Sequence, residues 1–113
     1  MTLYLTQDEV KEVLDMTSTL EAVENGFREM GNDNIEMPPR VYLHFEKGVL
    51  IAMPAYMPGL NAAGTKIVTV HPENRKEYDL PAVIARIILN SPDNGVPLAI
   101  MDGTYITALR TGA

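Results

Sequence analysis

The spacing of apolar residues changes character along the chain. Between Thr6 and Gly31 they recur every three or four positions, the period of an amphipathic helix. From Val41 onward they fall in short alternating or continuous runs broken by Pro, Gly and Asn. Leu3–Leu5 predicts a short strand ahead of the first helix. Thr6 and Glu9 have the spacing of a capping box, in which each side chain satisfies a free backbone N–H at a helix start. Val10, Val13 and Leu14 then give that helix an apolar stripe. A second helix is predicted to start at Thr17 or Ser18, where Ser18 and Glu21 repeat the box. Leu20, Val23, Phe27 and Met30 would form its buried face, and Gly31 its stop.

Asn32 to Pro39 reads as a loop, with Pro38-Pro39 unable to donate backbone hydrogen bonds. Two strands follow, Val41–Phe45 and Val49–Met53, joined at Glu46-Lys47-Gly48, where Gly48 can take the positive φ of a tight hairpin. Alternation places Val41, Leu43 and Phe45 on one face and Arg40, Tyr42 and His44 on the other. Pro54, Pro58 and Gly59 break the next stretch. Lys66–Val70 is a third strand, and His71 to Asp79 a polar loop. Val83–Leu89, interrupted only by Arg86, predicts a buried strand, although a helix of that length would look similar. Ser91-Pro92-Asp93-Asn94-Gly95 is a turn signal, and Val96–Met101 returns as its hairpin partner. Thr104 can cap a last helix that runs to Ala113 without a stop, which predicts an incomplete domain over 1–113. Two helices, a mostly antiparallel sheet and one further helix make an α+β fold.

Composition narrows the partners. The 113 residues carry a formal net charge of -6, which disfavours a phosphate backbone, so no nucleic-acid partner is expected. The absence of cysteine removes disulfides, thiolate catalysis and thiolate metal sites. His44 and His71 are the only histidines, and no metal site is expected from them. No stretch approaches the roughly 20 apolar residues of a membrane helix. The start has no basic segment followed by an apolar run, so a cytoplasmic protein is expected.

Several segments together resemble the ornithine cyclodeaminase/μ-crystallin family. They are Met37-Pro38-Pro39-Arg40-Val41, Ala52-Met53-Pro54-Ala55, Lys66-Ile67-Val68-Thr69-Val70-His71-Pro72, Asn90-Ser91-Pro92, Pro97-Leu98-Ala99-Ile100-Met101-Asp102-Gly103-Thr104 and Thr107-Ala108-Leu109-Arg110-Thr111. Each is weak alone. The ordered set covers nearly the whole chain, and it is most similar to the family's archaeal alanine dehydrogenase branch. The resemblance implies the substrate-binding and dimerisation part of an NAD- or NADP-dependent enzyme that forms an imine at Cα of an amino acid, or reverses that step. It implies a small amino-acid or 2-oxo-acid substrate and a homodimer. The family's Rossmann domain is expected outside this chain, because no G-x-G-x-x-G is present. The chain alone is therefore expected to bind neither nucleotide.

By resemblance, Lys66 looks like the family's catalytic lysine, handling a proton as the imine forms. On its own a strand lysine more often serves solubility. Burial among Ile67, Val68 and Val70 would lower its pKa and suit proton transfer near neutrality. Arg40 looks like the residue that grips the substrate α-carboxylate, a task for a planar fork, although arginines are mostly surface cations. Arg110 looks like a second substrate residue near the nicotinamide, and Thr111 a cofactor neighbour. Otherwise Arg110 would be a solvated helix charge. Ile51, Ala82 and Thr69 depart from the family pattern: Ile51 replaces a charged residue, Ala82 a threonine and Thr69 the cyclodeaminase's asparagine. A rival reading is a non-catalytic module that dimerises or binds a small carboxylate.

Overall fold

The computed structural model describes residues 2–13, 21–25, 28, 31–32 and 35–107. Leu14, Ser18, Leu20, Phe27 and Met30, called in the helical stripes above, lie outside the described residues, as do Arg110 and Thr111.

Strand β1 (Leu3–Leu5) leads into helix α1 (Gln7–Val13). The capping box forms as the spacing requires. The Thr6 N–H donates to Glu9 Oε1 at 3.1 Å, and the Glu9 N–H donates to Thr6 Oγ1 at 3.3 Å. Residues 21–25, 28 and 31 are helical, and the Asn32 N–H closes the last turn on the Arg28 carbonyl at 3.1 Å. Gly31 is thus within the helix rather than beyond it.

The sheet contains β2 (Val41–His44), β3 (Val49–Met57), β4 (Ala62–Val70), β5 (Val83–Asn90) and β6 (Pro97–Asp102) besides β1. Their order is β1-β6-β5-β4-β3-β2. Only the β1–β6 pair is parallel, so the sheet is mostly antiparallel and the fold α+β.

Several predicted boundaries shift. β3 runs through Pro54. The Tyr56 N–H and carbonyl face the β2 side, bonding Glu36 at 2.8 Å each. Pro54, two residues away, turns its ring nitrogen the same way, and β2 begins only at Val41, opposite Ala52. The missing N–H therefore falls where no partner strand needs it. β4 starts earlier than predicted, at Ala62, because pairing with β3 and β5 overrides the weak strand preference of Ala62-Ala63-Gly64. The polar segment after His71 is not all loop. Helix α2 (Asn74–Tyr78) forms there and ends at Asp79 with φ 55°. Gly48 is not at positive φ. It is needed for space, since a Cβ there would lie 2.7 Å from His71 Cγ. Gly95 does take φ 79°, in the turn between β5 and β6.

Alternation assigns side chains to two faces of the sheet. Val68, Ala85 and Ala99 are buried on one face together with Val10 of α1. The helical turn 104–107 lies on the same face, where Gly103 packs against Ala85 and Ile87, and Lys11 of α1 sits 5.5 Å over the Tyr105 ring. The other face is apolar but open: Val41 is 56% exposed, Leu43 52% and Ile67 36%.

Candidate functional site

Lys66 lies mid-strand on the helix-covered face, partly buried. The register pairs it with Met53 on β3 and Ile87 on β5, and Ile87 pairs with Met101 on β6. Val41 is opposite Ala52, and Arg40 is the residue just before β2 begins. Met53, Lys66, Ile87 and Met101 thus form one row across the sheet, with Arg40 just outside its β2 end. Arg40 and Lys66 are two strand spacings apart, about 10 Å between backbones. Both side chains are long enough to reach one small molecule set over Met53.

The chain holds Arg40 between two anchors. Glu36 bridges Tyr56 on one side, and Val41 pairs with Ala52 on the other. Pro38-Pro39 stiffens the span between them. The Arg40 side chain is exposed, as a group meant to meet a ligand from solvent would be.

The Lys66 Nζ donates to Thr107 Oγ1 at 3.4 Å. The predicted cap of this helical turn needs correction. Asp102, not Thr104, caps it: Asp102 Oδ1 accepts the Thr104 N–H at 2.9 Å. The Thr104 hydroxyl instead accepts the Ala85 N–H at 3.0 Å, tying the turn to β5. Arg86 on the open face donates to Asp102 Oδ2 at 2.8 Å. Neither Met53 nor the Arg86–Asp102 pair was singled out by sequence. The signal available was the Asp-Gly-Thr order, in which an aspartate two residues ahead of a helix can cap it as well as a threonine can.

Of the three departures, only Ile51 stands on the Lys66 face, next but one to Met53, where it is partly buried. Thr69 points to the other face, with its hydroxyl 3.4 Å from the Ile84 carbonyl. Ala82 accepts the His71 N–H at 2.8 Å through its backbone, a role indifferent to the side chain. Only Ile51 can therefore bear on a substrate at this row.

A surface cleft of 410 Å³ lies elsewhere, bordered by Phe45, Lys47, His71 and Glu77. Its cation is committed: Lys47 donates to Glu77 at 2.9 Å, and that hydrogen bond and charge raise the lysine pKa. The His71 ring tilts against Phe45 with centroids 5.8 Å apart, and His44 stacks on Tyr42 at 6.2 Å. Among the described residues no three His, Cys, Asp or Glu side chains gather as metal ligands. No described helix is long and apolar enough to cross a membrane.

An α+β unit with a six-stranded mixed sheet, α1 and a helical turn packed on one face, and a part-buried lysine on that face is the class that fold and site define. Over residues 1–113 the chain matches the model of the ornithine cyclodeaminase/mu-crystallin family, and it belongs to that family. Alanine dehydrogenase of Archaeoglobus fulgidus is 53% identical over 112 residues, which cover 99% of this chain and 34% of that protein. The solved dimer of an archaeal alanine dehydrogenase with bound NAD superposes with a TM-score of 0.93 at 51% identity, covering 98% of this chain and 34% of its own. Thermococcus litoralis Delta(1)-pyrroline-2-carboxylate reductase, in complex with NADH and L-proline, superposes at 0.94 with 39% identity, covering 97% of this chain and 34% of its own. The chain therefore spans about a third of the length of these relatives.

Proposed function

We propose that this chain is the substrate-binding and proton-handling part of an NAD(P)-dependent oxidoreductase that interconverts an amino acid and its imine at Cα. An alanine dehydrogenase type is favoured, and an ornithine cyclodeaminase type is second. The observation that carries this reading is Lys66 placed mid-row on the face that bears α1 and the 104–107 turn, with Arg40 near the β2 end of that row. The names of the relatives, dehydrogenases and reductases of amino acids and cyclic imines, support it.

In this reading Arg40 holds the α-carboxylate through a bidentate pair, which fixes the amine end toward Lys66. As hydride leaves Cα for the NAD(P)⁺ that a full-length protein would hold, the Cα–N bond becomes double and the substrate nitrogen loses a proton, which Lys66 in its neutral form would accept. In the reductive direction Lys66 returns that proton to nitrogen. Ile51 adds neither charge nor hydrogen bond, so the surface beside Met53 favours a small apolar side chain over one ending in an amine. Arg110 would add a second carboxylate contact, and Thr111 would lie near the nicotinamide.

This reading places no dinucleotide on the described residues. At the β6-to-helix junction the glycine is closed, since a Cβ on Gly103 would lie 3.0 Å from Ile87 and 3.3 Å from Ala85. A phosphate cradle needs an open backbone there. The nucleotide is accordingly assigned to the remainder of a full-length protein, and this chain to the substrate and the subunit contact.

The test is a screen of the full-length protein against L-amino acids and 2-oxo acids with ammonium, following NAD(P)H absorbance. Turnover of a small apolar amino acid is expected. No turnover of any amino acid, 2-oxo acid or cyclic imine would leave a non-catalytic carboxylate-binding module as the better account.

A further inference from the structure

Thr107 stands where the helical turn meets the reactive row of the sheet. Its hydroxyl donates to the Gly103 carbonyl at 2.7 Å. A hydroxyl has one proton, so toward Lys66 the oxygen can only accept. It faces the Lys66 Nζ at 3.4 Å, the outer limit of a hydrogen bond. The contact draws the amine to the side of the row that carries the helical turn. The Thr107 N–H also returns to the Gly103 carbonyl, at 2.9 Å, so the residue is doubly tied to the start of its turn.

That start is fixed from the far side of the sheet. The two oxygens of Asp102 do different work: Oδ1 caps the turn at the Thr104 N–H, and Oδ2 receives Arg86 Nη1. The aspartate side chain is 13% exposed while the arginine is 56% exposed. The carboxylate is thus held inside by a cation that reaches over the open face. Without Arg86, it could rotate off the cap.

We propose that Thr107 is a positioning residue for Lys66, and that Arg86 and Asp102 set its place by fixing the turn that carries it. This rests on the reading of Lys66 as the proton carrier. It adds a connection between the two faces of the sheet: a residue on the exposed apolar face tunes the amine on the covered one.

The experiment compares Thr107→Val, Thr107→Ser and Arg86→Met in the full-length protein, with Lys66→Met alongside. Thr107→Val keeps the volume and removes the hydroxyl. It is expected to lower kcat by about tenfold while KM for the amino acid stays within about twofold. Thr107→Ser keeps the acceptor and should restore kcat to within about threefold of the parent. Arg86→Met should lower kcat by a smaller factor in the same direction. A second readout is independent of turnover. The two Hε resonances of Lys66, resolved when the amine is held, should merge in Thr107→Val and stay apart in Thr107→Ser. If Thr107→Val does not fold, Thr107→Ala carries the same expectations. Unchanged kcat and resolved Hε lines in Thr107→Val would overturn the proposal, as would equal losses in the Val and Ser variants. Unchanged kcat in Arg86→Met would overturn the link across the sheet. Full activity in Lys66→Met would instead overturn the underlying reading of the site.

Discussion

Lys66 and Arg40 are cations placed differently by the same sheet. Lys66 is mid-strand, flanked by Met53 and Ile87, with its amine turned toward Thr107. Arg40 is at the mouth of the row, exposed and stiffened by two prolines. The two should therefore fail differently. On the proposed reading, Arg40→Met removes a carboxylate anchor that would be engaged in ground and transition states alike. It should raise KM for the amino acid by roughly 10- to 100-fold, the worth of a charge-assisted hydrogen bond, with a smaller change in kcat. Steady-state kinetics of the full-length variant checks this, and an unchanged KM would remove Arg40 from the substrate. At this scale the residue types were legible in sequence because the family motifs carry them. Their relative placement was not, because it depends on the register between strands that are distant in sequence. The same gap explains Thr69, which a motif comparison sets beside Lys66 but alternation sends to the other face.

Elements were legible wherever local chemistry decides. The Thr6–Glu9 box and the Gly95 turn both rest on contacts within a few residues, and both form. Where pairing decides, sequence alone fell short. Pro54 looks like a strand breaker until the open side of β3 at that point is known, and Ala62-Ala63-Gly64 looks irregular until both neighbours claim it. Thr104 was misread for a related reason: two capping residues compete, and the Ala85 N–H takes the threonine. Gly48 provides a test at this scale. A methyl group would meet the His71 ring at 2.7 Å with the β4 backbone on its other side, so neither can yield cheaply. Gly48→Ala should cost about 1–3 kcal/mol and lower Tm by several degrees, roughly 4 °C or more, in a thermal melt. A variant as stable as the parent would mean that the β2–β3 hairpin end is not packed as described.

For the whole molecule, the open apolar face of the sheet is the feature most in need of explanation. Exposed Val41, Leu43 and Ile67 sit over partly covered Leu50, Ile84 and Ile88 on a sheet whose other face already has its helices. An apolar surface of that kind is the mark of a subunit contact. β5 is an inner strand paired on both sides, so the open surface is a face of the sheet and not an edge. Sedimentation is expected to show a dimer, shifted toward monomer by Leu43→Asp. A monomer at high concentration would contradict this. The closed Gly103 junction leads to a second expectation, that calorimetric titration of this chain with NAD or NADP gives no micromolar binding. Heat of binding at that affinity would place a nucleotide site within these residues.

The central claim is that Lys66 carries the proton, and kcat of Lys66→Met in the full-length protein tests it most directly. Methionine keeps most of the stem volume, so packing between Met53 and Ile87 should survive. The account predicts a loss of about 10²–10⁴-fold in kcat with a parental thermal melt. A kcat near that of the parent would make Lys66 an ordinary strand lysine and contradict the account.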